Sequence, residues 1–183
     1  MAALATVPGA NIPGFMTLEE LSWLYATAKT VGSCLEVGSW KGRSTSALCA
    51  GCSRVYAVDT FGGTAGELRV DSPDCLFAEF SDNTKKYLGS GLTVIWGDSA
   101  AAAPLAPLVE LVFIDGAHDY ESVARDLALW APKAKRILCG HDWQLESVQR
   151  AVLEYMTAEG FNVSRVTTHG TIWAISLRRD ETK

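Results

Sequence analysis

Five apolar runs in this sequence each carry, within or just beyond them, polar residues able to do chemistry. Glu36 lies inside C-L-E-V-G-S-W-K-G-R-S-T (34–45), Asp59 ends V-Y-A-V-D, and Asp98-Ser99 follow L-T-V-I-W-G. Asp115 ends L-V-F-I-D with His118 close behind it, and His141-Asp142 follow I-L-C-G. Carboxylates accept hydrogen bonds and favour positive charge, so they suit hydroxyls, amines and cationic ligands. Histidine is the side chain that takes up and releases a proton near neutral pH, which makes His118 and His141 the candidates for proton transfer. His118 is the first choice, because it follows an apolar, strand-like run on a short turn. Asp115 or Asp142 would orient it or hold a metal. A simpler reading of the same residues is that His118 caps a helix and His141 fills a structural turn.

Such scattered groups meet only if their runs are parallel strands whose carboxyl ends share one edge. The stretch 34–45 shows how this begins. Leu35 and Val37 bury a short strand, Gly38 and Gly42 permit a sharp turn with close backbone approach, and Ser44-Thr45-Ser46 open a helix. Amides at that helix start carry partial positive charge suited to a carboxylate, while Glu36 at the rim could bind an ammonium group. A dinucleotide loop has the spacing G-x-G-x-x-G, whereas here the spacing is E-x-G-x-x-x-G with Trp40 and Lys41 inside it. The loop therefore reads as one for S-adenosylmethionine rather than NAD, although an NAD-dependent oxidoreductase stays as a disfavoured alternative.

Asp59 follows Gly38 by about 20 positions, the separation at which an acidic residue on a second strand meets a ribose diol. Thr60 to Val70 is glycine-rich and aperiodic, which predicts a loop over the crevice. Asp98 could accept from an adenine amine with Ser99 beside it, and either would also cap a helix over the alanines that follow. Further strands are expected over 92–95, 110–115 and 137–139, with a closing antiparallel pair over 161–166 and 171–177. Ahead of the first strand, Thr17 and Glu20 form a capping box for a helix reaching about Lys29, so residues 1–30 pack beside the crevice.

The 183 residues, 48% hydrophobic, fit a single domain over 1–183. A net charge of −5 with scattered basic residues speaks against nucleic acid as a partner. The opening residues lack the charged and apolar regions of a secretory signal, and no run is long enough to span a membrane, so a cytoplasmic location is the default expectation. Of the five cysteines, Cys49 and Cys52 form C-A-G-C at the predicted end of a helix, where a redox pair would lack the stabilised thiolate.

The motifs E-V-G-S-W-K-G-R-S-T, V-Y-A-V-D-T-F, F-I-D-G-A-H-D-Y-E-S-V-x-x-D-L-x-x-W and G-H-D-W, in that order, resemble the small class I S-adenosylmethionine-dependent methyltransferases called methyltransferase family 24. The likeness covers about Phe15 to Tyr155. It implies an α/β Rossmann-like, doubly wound seven-stranded sheet of order 3-2-1-4-5-7-6, its last strand antiparallel, in a three-layer αβα sandwich. By position, Glu36, Gly38, Ser39 and Gly42 would surround the methionine part of the cofactor, Asp59 its ribose, and Asp98 with Ser99 its adenine. Trp40, Ser44, Thr60, Phe61, Asp115 and Gly116 complete the expected cofactor contacts. Related sugar and macrolide O-methyltransferases hold magnesium with acidic residues at the positions of Asp115, His141 and Asp142. The imidazole of His141 departs from that pattern, because a hard ion prefers oxygen. Ala117 stands where relatives can place a catalytic carboxylate. The resemblance thus implies O-methylation of a small hydroxylated acceptor, a sugar or natural product. A catalytically silent S-adenosylmethionine-binding protein is the alternative, and a homo-oligomer is compatible with either.

Overall fold

A computed structural model of the protein describes residues 7–63 and 72–177. Seven strands alternate with helices: α1 (Leu18–Ala28), β1 (Cys34–Val37), α2 (Arg43–Gly51), β2 (Val55–Asp59), α3 (Pro73–Thr84), β3 (Leu92–Trp96), α4 (Ser99–Ala102), β4 (Val109–Ile114), α5 (Tyr120–Trp130), β5 (Ala134–Gly140), α6 (Glu146–Ala158), β6 (Thr167–His169) and β7 (Ile172–Ser176). Their order in the sheet is β3-β2-β1-β4-β5-β7-β6, the order expected from the sequence. β7 runs antiparallel to both β5 and β6, and the remaining pairings are parallel.

Alternation along the strands divides the core into two layers, as period-2 side chains must. Cys34, Ala57, Leu111 and Phe113 face Leu21, Leu24, Leu48 and Phe80 of α1, α2 and α3. On the other face, Leu35, Val37, Val112 and Leu138 meet Leu127, Trp130, Val152 and Met156 of α5 and α6. β1 and β4 are almost wholly buried, as their uninterrupted apolar runs predict for central strands.

Several boundaries differ from the sequence expectation. β5 begins at Ala134 rather than at the expected 137, and its added residues pair with β4 through Val109 and Ala134 across a register shift. The stretch 161–166 is not a strand: Val163–Arg165 form a 3-10 turn, and β6 contains only the three residues that β7 pairs. α2 includes Gly51 and ends at Cys52, whose backbone is extended. Cys49 therefore lies in the last turn of α2 and Cys52 just beyond it, away from any helix N-terminus. The capping box of α1 is present in full, with Thr17 and Glu20 bonded reciprocally. Of the predicted 60–70 loop, residues 64–70 lie outside the described residues. Among the described residues, no helix is long and apolar enough to cross a membrane.

Candidate active site

The carboxyl ends of β1 to β5 and the amino end of the antiparallel β7 border a cleft of about 920 Å³, a volume within the range of small-molecule sites. Its floor is backbone. Gly38 has φ +87°, and a Cβ there would lie 2.1 Å from the carbonyl oxygen of Asp115, so the first loop fits against β4 only as glycine. Ser39, Trp40, Ser44, Asp59, Thr60, Asp98, Ser99, Asp115 and Gly116, all predicted cofactor contacts, line this cleft.

Three predicted contacts do not. Glu36 is fully buried beneath the loop rather than at the rim, because the strand's alternation turns it toward α2, where Oε2 accepts from the Thr45 hydroxyl. Gly42 starts α2 with φ +86° and packs against Thr84 and Phe80. Phe61 is wholly buried among Phe77, Phe80 and Trp96. Sequence spacing placed these residues near the ligand; the directions of the Glu36 and Phe61 side chains, and the packing of Gly42 against α3, take them away.

Asp59 lines the cleft and also ties it together. Its Oδ2 accepts from the backbone N–H groups of Ser39 and Trp40, both at 2.7 Å, and its Oδ1 from that of Phe61 at 2.6 Å. Trp40 and Phe61 have φ of 42° and 54°, a left-handed conformation that is costly for bulky residues and that these bonds hold in place.

At the β4–β5 side the ionisable groups meet. His118 Nε2 is 2.9 Å from Asp142 Oδ2, and His141 Nδ1 is 3.1 Å from the same oxygen and 3.6 Å from Asp115 Oδ1. The other nitrogen of His141 pairs with the Thr171 hydroxyl at 2.9 Å, near Glu20. Burial works against the charged form of His141, but the Asp142 bond and the charges of Asp115, Asp142 and Glu20 prevail and raise its pKa to about 9. Burial pushes the Asp115 carboxyl up to about 7, with Asp142 and Glu36 adding to the rise and His141 opposing it. Asp142 is also penalised by burial, yet bonds to His118 and His141 hold it well below the usual carboxylate range.

This geometry corrects the predicted metal set of Asp115, His141 and Asp142. Both ring nitrogens of His141 are engaged, Nδ1 with Asp142 and Nε2 with the Thr171 hydroxyl. Asp115, His118 and Asp142 instead offer ligand atoms within 4.8 Å of one another, so His118 takes the place given to His141.

Sequence reasoning missed several lining residues, four of which organise the site. Arg43 donates to the carbonyls of Met16, Ala10 and Ile12 and so pins the segment before α1 over the cleft, where Phe15 stacks on Trp40. Gln144 donates to Asp142. Asp126 of α5 accepts from Ser99, and its signal was a lone acid on an otherwise apolar helix face.

Glu20, the fourth, is the capping-box residue of α1 and is only 3% exposed. Its Oε1 accepts from the backbone and hydroxyl of Thr171, and its Oε2 from those of Thr17. Burial opposes ionisation, but these bonds outweigh it and lower the pKa from 4.5 to about 2. A depressed folded-state pKa stabilises the protein above the unfolded value, and the contribution fades as pH falls from about 4.5 toward 2. Glu20→Gln is therefore expected to lower unfolding free energy by about 2–3 kcal/mol at neutral pH, with the gap closing near pH 2. Urea titrations across that range check it, and a pH-independent gap would contradict it. His141 acts with the opposite sign, since its raised pKa stabilises fully below about 6.5 and loses effect as pH rises through about 9.

A family model described as a methyltransferase domain, of methyltransferase family 24, matches residues 35–143. No curated protein matches the sequence significantly. Among solved structures, precorrin 8w decarboxylase from Methanobacterium thermoautotrophicum superposes with a TM-score of 0.66 at 18% identity, covering 90% of this chain and 91% of that one. An O-methyltransferase from Bacillus cereus, in complex with S-adenosylhomocysteine, gives 0.65 at 15% identity over 91% and 85%. TomG from Streptomyces achromogenes, an O-methyltransferase of tomaymycin synthesis in complex with S-adenosylmethionine, gives 0.64 at 12% identity over 88% and 81%. At these identities the structural likeness establishes the fold alone.

Proposed function

From the premise that this chain belongs to methyltransferase family 24, we propose that it transfers a methyl group from S-adenosylmethionine to a hydroxyl of a small molecule. The observation that carries the reading is the single cleft connecting Asp98, Asp126 and Asp59 at one end with the His118–Asp142 pair at the other. Its volume accommodates an extended nucleoside cofactor together with a modest acceptor. Carboxylates from β2, β4 and β5 make the cleft acidic, which suits a cofactor bearing positive charge. When bound, that cofactor supplies an electrophilic methyl carbon on a sulfonium.

The protein's part is alignment and proton removal. Asp59 and the loop it fixes hold the ribose, and the floor at Gly38 lets the methionine part lie against backbone. Asp142, 2.9 Å from His118 Nε2, orients the imidazole that takes the acceptor's hydroxyl proton as the acceptor oxygen bonds to the methyl carbon and the carbon–sulfur bond breaks. His141, as a buried cation, keeps Asp142 ionised and in position.

A second reading of the same cluster rests on the closeness of Asp115, His118 and Asp142, which could hold a divalent ion that lowers the hydroxyl's pKa instead. Two carboxylates with one imidazole suit a transition ion better than magnesium.

Calorimetric titration with S-adenosylmethionine, S-adenosylhomocysteine and NAD tests the cofactor, and preference for NAD would overturn the proposal. Turnover of hydroxylated acceptors with EDTA, and with added manganese or magnesium, separates the two readings. Activity that survives EDTA removes the metal reading and leaves the His118 reading to its own variant.

A further inference from the structure

Asp126 lies on the apolar face of α5 beside Val123, Leu127 and Trp130, and it is 3% exposed. A buried carboxyl there is costly unless its oxygens are matched. Oδ1 is matched: it accepts from the Ser99 hydroxyl at 2.5 Å, and that hydroxyl accepts from Trp130 Nε1 at 2.7 Å. The Ser99 proton is thereby directed at Asp126 and is not offered to a ligand. Oδ2 faces the cleft next to Gly116, whose added Cβ would lie 3.3 Å from it. Among the described residues, none donates to Oδ2, and burial raises the carboxyl's pKa against the Ser99 bond and the Arg125 charge. Asp126 is thus an oriented, water-poor acceptor between Ser99, which follows β3, and Gly116, which follows β4.

We infer that Asp126 reads the exocyclic amine of the cofactor's purine, with Ser99 and Trp130 fixing its rotamer. This rests on the proposed use of S-adenosylmethionine. The amine is the strong donor on the edge of adenine, and an acceptor withdrawn from water discriminates far better than one in water. Asp98, expected in this role from its place after β3, is exposed and already caps Ala100. Gly116 leaves the room in which the base edge meets Oδ2.

The test is calorimetric binding of S-adenosylhomocysteine and of its deaminated analogue S-inosylhomocysteine, which presents a carbonyl in place of the amine. Wild-type protein is expected to prefer the adenosyl ligand by about 30-fold or more. In Asp126→Asn, the side-chain oxygen stays toward Ser99 and the amide N–H₂ turns to the cleft, so the preference is expected to shrink by about 30-fold or invert. Asp98→Asn is expected to change the ratio by less than about 3-fold, since that group is hydrated. Equal wild-type affinity for the two ligands, or an unchanged ratio in folded Asp126→Asn, overturns the assignment. If Asp126→Asn does not fold, Ser99→Ala reports instead, because releasing the Asp126 rotamer is expected to lower the preference about 3- to 10-fold. Wild-type protein that binds neither ligand refutes the cofactor reading itself, an outcome distinct from loss of the purine preference alone.

Discussion

His118→Ala is expected to reduce kcat by about 100- to 10,000-fold while leaving the affinity for S-adenosylhomocysteine within about 2-fold of wild type. The split follows from position. His118 stands at the acceptor end of the cleft against Asp142, away from the loop and strand ends where the nucleoside would lie. Removing it deletes the proton acceptor and leaves the cofactor's contacts in place. Asp142→Asn is the companion variant, since an amide cannot hold the imidazole in the same tautomer, and it should also lower kcat. Single-turnover rates with saturating cofactor check both. Full activity in His118→Ala would remove it as the base, and lost cofactor binding would show that it acts through the structure of the cleft instead.

Asp59→Ala is expected to weaken S-adenosylhomocysteine binding by about 100- to 1,000-fold and to lower thermal stability as well. The carboxylate accepts three backbone N–H bonds, and bonds to a charged acceptor contribute about 1.5–3 kcal/mol each. Without them, Trp40 and Phe61 lose what holds their left-handed backbone, so the loop that floors the cleft relaxes before any ligand arrives. Asp59→Asn should fall between wild type and alanine, because its oxygen still accepts while its amide faces donors. Calorimetry and thermal unfolding on the same samples separate the effects. Affinity lost without any change in stability would mean that Asp59 touches ligand only, and unchanged affinity would remove it from the site.

The two variants show how differently their residues could be read. Asp59 was legible from its distance to Gly38 and its place at a strand end, but its role as a latch was not. That role depends on Ser39, Trp40 and Phe61 turning their amides inward, and Trp40 and Phe61 do so at positive φ values that no propensity predicts. His118 was legible as a titratable group on a turn, yet its partner was open between Asp115 and Asp142. In the predicted metal set His118 takes the place given to His141, whose surrounding carboxylates favour its charged form against the cost of burial, and that balance exists only in three dimensions. Phe61 followed Asp59 closely enough to be expected at the ligand, and the fold turned it into the core.

By itself the sequence determined the order of strands and helices, the two glycine turns, the cap of α1 and the placing of acids at strand ends. These are local properties, set by residues within a few positions of one another through alternation, helical period and backbone freedom. The tertiary structure alone decided which polar group meets which. Glu20 bonds to Thr171 across 151 positions and Ser99 to Asp126 across 27, and neither pairing has a local cause. Buried polar atoms must find partners where water is absent, and packing, rather than neighbourhood in the chain, determines which partners are within reach.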